Sequence, residues 1–195
     1  MKKLAKVLDR ILKILFWIAI ISILIILIVV VGCYTLMSDF VIPESMKLET
    51  IFDYHGLTFV IDSGIGDYLY ITYITGITIL VGEVILVYNI AQIRGILEGV
   101  LEDRPFSRGV VKYIKNLAFG IMIGSVIFAS VQAITDYLVL NQLEFFEIFN
   151  QMEIKFNYFW AIIEDSLILE GLLILLLAHV FQYGLGLQEE YDATL

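Results

Sequence analysis

The run ILKILFWIAIISILIILIVVVGCYTL, residues 11–36, decides the fold class of this chain: it is apolar over more than twenty positions, and Lys13 near its start is its only charged residue. A helix rising about 1.5 Å per residue crosses ~30 Å of hydrocarbon in ~20 residues, so the run is long enough to span a membrane. Three further runs of this kind follow, at residues 68–90, 117–140 and 160–181. Spanning strands would show segments of about ten residues with alternating polarity, and none appear. A backbone in lipid has to satisfy its own polar groups, so the runs are expected to be helices. The expected fold is an all-α membrane protein, a four-transmembrane-helix bundle forming a single domain over residues 1–195. A composition of 60% hydrophobic residues, with two prolines in 195, agrees with that class.

The positions of Lys and Arg predict an orientation. Lys2, Lys3, Lys6, Arg10 and Lys13 stand at the start of the first run, and Arg94, Arg104, Arg108, Lys112 and Lys115 lie between the second and third. Only Lys47 and Lys155 fall in the other two loops. The positive-inside rule then places both termini, the loop 91–116 and the tail 182–195 in the cytoplasm. Acidic residues gather on the other side, at Asp39, Glu44, Glu49, Asp53, Asp62 and Asp67 and at Glu144, Glu147 and Glu153. The bilayer is the expected partner of the four runs. A formal net charge of −9 argues against direct binding of nucleic acid.

Val30-Val31-Gly32-Cys33 fits a lipoprotein cleavage box behind a basic segment. The apolar stretch before it exceeds the 7–15 residues usual for a signal peptide, which favours a retained span with Cys33 near its outer end. In the first outer loop, Leu48 to Tyr54 and Leu57 to Ile61 are β-favouring runs around His55-Gly56, and predict a small extracytoplasmic β-hairpin that caps the bundle or binds an extracellular peptide. A lone histidine there makes no metal site.

Ile90, Ile93, Leu97, Val100 and Leu101 recur at helical spacing, so the second span is expected to continue as an amphipathic helix beyond the membrane. Pro105 ends it, and Ser107 can cap a new helix that leads into the third span. Within the spans Glu83, Gln132, Asp136, Glu170 and His179 need explaining. Glu170 falls near the middle of the fourth run, and Glu83 nearer the inner side of the second. Carboxylates at such depth either mark ion or proton paths or are neutral and hydrogen-bonded across the bundle. Gly120 and Gly124, and Ser125, Ala129 and Ala133, are small residues at four-residue spacing, suited to close internal packing or to a homodimer.

No catalytic constellation is present. His-Glu-x-x-His, a phosphate-binding loop and Gly-x-Ser-x-Gly are all missing, and Gly64/Gly66 and Gly184/Gly186 lack a third glycine. No enzyme activity, metal or cofactor is expected.

Pro105-Phe106-Ser107, together with the closing stretch from Phe181 through Tyr183-Gly184, Leu187-Gln188-Glu189-Glu190 and Asp192 to Leu195, resembles the bacterial family called domain of unknown function 2975, or YoaS-like. The resemblance implies a four-span protein of the bacterial cell membrane, often encoded beside a small helix-turn-helix transcription regulator. The residues themselves suggest an inner-face docking site: the tail bends at Gly184 and Gly186 and brings Gln188, Glu189, Glu190 and Asp192 near Arg104, Arg108, Lys112 and Lys115. The partner-binding set so predicted is Arg104, Pro105, Phe106, Ser107 and Arg108 with Tyr183, Gly184, Leu187, Gln188, Glu189, Glu190 and Asp192. Three roles compete: a regulatory partner of a cytoplasmic regulator, a small proton-coupled transporter or channel using Glu83 and Glu170, and a structural subunit of a membrane complex.

Overall fold

A computed structural model describes residues 2–39, 47–54, 57–102, 104–143, 163 and 166–193. In chain order the elements are α1 (Lys2–Asp39), β1 (Lys47–Tyr54), β2 (Leu57–Gly64), α2 (Ile65–Leu101), α3 (Arg108–Gln142) and α4 (Ile168–Ala193). All four helices are long and apolar enough to cross a membrane. At about 1.5 Å per residue the 38 residues of α1 reach roughly 57 Å, far more than ~30 Å of hydrocarbon needs. The helices therefore continue beyond the apolar runs that define them.

β1 and β2 pair antiparallel, with Lys47 opposite Gly64 and Tyr54 opposite Leu57. The His55-Gly56 turn lies outside the described residues. β2 passes into α2 with no linker, and the junction is held by Asp67, whose Oδ2 accepts the Gly64 N–H at 3.1 Å. A carboxylate in the first turn also faces the positive end of the helix dipole. Its second oxygen, Oδ1, accepts from Gln142 Nε2 at 2.6 Å and so ties the start of α2 to the end of α3.

Packing follows chain order. α1 lies on α2, α2 on α3 and α3 on α4, and among the described residues no other pair of helices approaches closely. Among the described residues the four helices thus form a row with α2 and α3 at its centre. Buried side chains concentrate on α3, at Val110, Val111, Ile114, Ala118, Ala129, Ala133, Val139 and Leu140. Large apolar side chains on α1 and α4 face outward, among them Ile28 at 70% exposure and Leu169 at 67%. Outward apolar faces on helices of this length suit hydrocarbon as the solvent.

The small residues of α3 are consumed internally. Gly124, Ser125, Ala129 and Ala133 are buried, and a Cβ added at Gly124 would stand 2.6 Å from Ile85 Cγ2 of α2. Of the expected fourth span at 160–181, α4 is described from Ile168 onward, and residues 160–162, 164 and 165 lie outside the described residues. The expected bend at Gly184 and Gly186 does not occur, because α4 continues unbroken through Ala193. Glycine in a helix costs only about 1 kcal/mol relative to alanine, and tertiary contacts offset that.

Gly124→Val should lower stability by about 1–3 kcal/mol, since the branched Ile85 side chain has little freedom to yield. Gly32→Ala, at a position open to space, should be neutral or mildly stabilising. Unfolding of the two purified variants in detergent checks the contrast; equal destabilisation would refute the close approach.

Candidate functional site

The end of the protein that carries both termini brings together the turn at residues 102–107 and the last turns of α4. The turn forms because Pro105 cannot extend α2 and biases Arg104 away from helical geometry. Glu102 N–H still donates to Glu98 O at 3.0 Å, and Arg104 N–H reaches Gly99 O at 2.9 Å. Ser107 then starts α3: its Oγ accepts from Val110 N–H at 3.3 Å, and its carbonyl accepts from Val111 N–H at 3.1 Å. This is the N-cap that the serine's position predicts.

Phe106 is aimed at α4. Its ring lies 5.3 Å from that of Phe181, inclined by 37°, within the range where aromatic pairs attract. A Cβ added at Gly184 would meet the Phe106 ring at 3.0 Å, so the glycine gives the ring its seat. Beneath the pair, Val110 and Ile114 of α3 bury Ala178 of α4, with Ile96, Ile174 and Phe181 packed around them. Two polar links cross the same seam. Arg108 donates from Nη2 at 2.9 Å and Nε at 3.1 Å to one oxygen, Oε1, of Glu189. Lys115 Nζ donates to Gln182 Oε1 at 2.8 Å.

The structure therefore joins Phe106 to Gly184 and Arg108 to Glu189, on either side of the Ser107 cap. Arg104 is exposed in the turn, and Tyr183, Leu187, Gln188 and Glu190 are exposed on α4. The side chain of Asp192 lies outside the described residues. Tyr183 is 70% exposed and Leu187 50%, one turn apart on one helical face. The Arg108–Glu189 pair is open to solvent, with side chains 83% and 51% exposed, and contributes only ~0–1 kcal/mol.

The intramembrane polar residues do not form one site. Glu83 of α2 is half-buried, and Ser22 Oγ of α1 donates to its Oε1 at 3.1 Å; Oε2 is shielded from solvent and has no partner among the described residues. Glu170 is exposed in the first turn of α4 instead of lying mid-span. Its displacement follows from the later start of that helix. Gln132 Nε2 donates to Asp136 Oδ1 at 2.8 Å within α3. His179 Nδ1 hydrogen-bonds the Leu175 carbonyl of its own helix at 2.8 Å. Cys33 is buried in α1. Among the described residues no group of three or more His, Cys, Asp and Glu is placed to hold a metal ion.

Sequence reasoning missed a clamp at the same end. Arg94 Nε of α2 donates to Asp9 Oδ1 of α1 at 3.3 Å, and its guanidinium lies 6.0 Å from the Phe16 ring centroid. Asp9, Lys13, Phe16, Arg94, Glu98 and Tyr113 line a cavity of about 380 Å³ there. The available signal was Asp9, the one acid among the basic residues that open the chain.

The family model described as "Protein of unknown function (DUF2975)" matches residues 56–195. The chain belongs to that family, and the match takes in α2, α3, α4 and the whole seam between the turn and α4. No curated protein matches the chain. No solved structure matches it.

Phe106→Ala should loosen the seam by about 0.5–1.5 kcal/mol, whereas Arg108→Ala should change it by ~0–1 kcal/mol. Amide hydrogen exchange at residues 184–193 should accelerate more in the first variant than in the second. A larger effect of Arg108→Ala would show that the ion pair, not the ring, holds the seam.

Proposed function

We propose that this family member is a non-catalytic, membrane-embedded regulatory partner that holds a small cytoplasmic DNA-binding protein at the seam between the 102–107 turn and the end of α4. The observation that carries this reading is the seam itself: a firm apolar base under Phe106 and Phe181, topped by exposed Tyr183 and Leu187 and by a weak, exposed ion pair. Exposed aromatic and aliphatic side chains on a rigid helix offer anchors for a partner. The Arg108–Glu189 pair can yield to a better arrangement at little cost. The positive-inside rule supports a cytoplasmic position for this end. The family resemblance supports a helix-turn-helix regulator as the partner, and the net charge of −9 leaves DNA contact to that protein.

Capture of the regulator encoded beside the gene should weaken about tenfold on Phe106→Ala, by analogy with the loss of a central aromatic anchor, and also on deletion of Gln188 to Leu195. Unchanged capture by both variants, each retaining its helical content, would overturn the site.

A second reading draws on Glu83. A carboxyl group at the α1–α2 contact with one unpartnered, shielded oxygen is a feature of proton-coupled passage through membranes. Glu170, on a helix that does not approach α2 closely, does not join it. If Glu83 only packs, proton flux into liposomes should be negligible and equal for the parent and for Glu83→Gln; flux in the parent that the substitution abolishes would establish passage.

A further inference from the structure

Between the first turns of α3 and the last turns of α4, on the flank of the seam, lies an open groove of about 570 Å³. Arg108, Lys112 and Lys115 line it from α3, and Gln182, Leu185 and Glu189 from α4. The three cations stand at i, i+4 and i+7, which puts them on one helical face. Arg108 also stands in the first turn of α3, at the positive end of the helix dipole, where no acidic residue is present. Three like charges on one face of a helix repel one another unless neighbours or a ligand answer them.

The neighbours answer only part of that charge. Glu189 is the single carboxylate in the groove and is engaged by Arg108 at 2.9 Å. Lys115 meets the neutral Gln182. Lys112 is exposed and has no partner among the described residues. The groove is thus left with a net positive charge.

Its floor has a different character. Phe119, 47% exposed, lies one turn beyond Lys115 at the start of the apolar stretch of α3, and Val111 and Leu185 complete the apolar lining. A ligand that fits has an anionic head at the Lys112–Lys115 level and an apolar body that runs past Phe119 along the span. Basic pockets between spanning helices recognise acidic headgroups in this way.

We propose that the α3–α4 groove is a binding site for one anionic phospholipid, its phosphate between Lys112 and Lys115 and its upper acyl chain against Phe119. The inference needs these helices to span a bilayer and is independent of any protein partner at the seam.

Native mass spectrometry of the full chain, released from micelles supplemented with equal phosphatidylglycerol and phosphatidylcholine, tests it. The parent should retain one phosphatidylglycerol in preference to phosphatidylcholine, and Lys112→Gln with Lys115→Gln should reduce that retention about tenfold, as expected for two surface cations. Lys112→Arg with Lys115→Arg should keep it. Lys6→Gln with Lys13→Gln, which removes the same charge from α1, should leave it unchanged. Equal loss in the α1 pair would reduce the effect to diffuse surface charge and overturn the site. Equal retention of phosphatidylcholine, or displacement of the lipid by millimolar inorganic phosphate, would overturn it as well.

Discussion

The close approach of α2 to α3 is the joint on which the rest of the structure hangs, because among the described residues α1 attaches through α2 alone and α4 through α3 alone. Small residues make the approach possible: Gly124 lies against Ile85, and Gly82 against the Phe128 ring. At the same interface Thr78 and Thr135 place their hydroxyl oxygens 2.6 Å apart in buried surroundings. Thr78 Oγ1 also lies 3.3 Å from the Ile74 carbonyl, which can only accept. The hydroxyl of Thr78 therefore donates along its own helix, and that of Thr135 donates across to Thr78. Interhelical hydrogen bonds in membranes contribute about 0.6 kcal/mol on average, so they direct the register of the two helices more than they hold them together. Shape complementarity supplies the larger part.

The position of α4 follows from α3. Leu167 N–H, just ahead of α4, donates to Ser125 Oγ at 2.9 Å, and Ser125 donates onward to Met122 O at 3.1 Å. A backbone donor at a helix start, which within lipid would find no water, is thus satisfied by a side chain of the neighbouring helix. From that anchor α4 runs back along α3, buries Ala178 against Val110 and Ile114, and delivers Phe181 beneath Phe106. The seam is the far end of a docking that begins at Ser125.

Much of this was legible in the sequence where the signal is local. Apolar runs of sufficient length fix the number and kind of the helices; Pro105 and Ser107 fix the turn through backbone chemistry that depends on a few neighbours. The resemblance drawn from Pro105-Phe106-Ser107 and the closing stretch agrees with the family match. Reading failed where a distant residue decides. Gly184 and Gly186 read as a bend, yet Gly184 receives the Phe106 ring and the helix continues. Glu170 read as mid-span because residues 160–181 form one mostly apolar run, although Glu164, Asp165 and Ser166 interrupt it shortly before α4 starts at Ile168. The Arg94–Asp9 pair joins residues 85 positions apart, and charge counts carry no information about such a partner.

The two ion pairs at the termini-bearing end differ in a way that bears on how that end can respond. Arg94 and Asp9 are 29% and 27% exposed, and Phe16 lies against the guanidinium; Arg108 and Glu189 are 83% and 51% exposed and share a single carboxylate oxygen. A partly desolvated pair is screened less by water and salt than an exposed one, and its separation leaves charges in poorer surroundings. The α1–α2 side is therefore the stiffer half of this surface, and the end of α4 is the half that can rearrange at low cost. A partner or a lipid that competes for Arg108 would act on α4 while the joint between α2 and α3, and with it the span architecture, stays as it is.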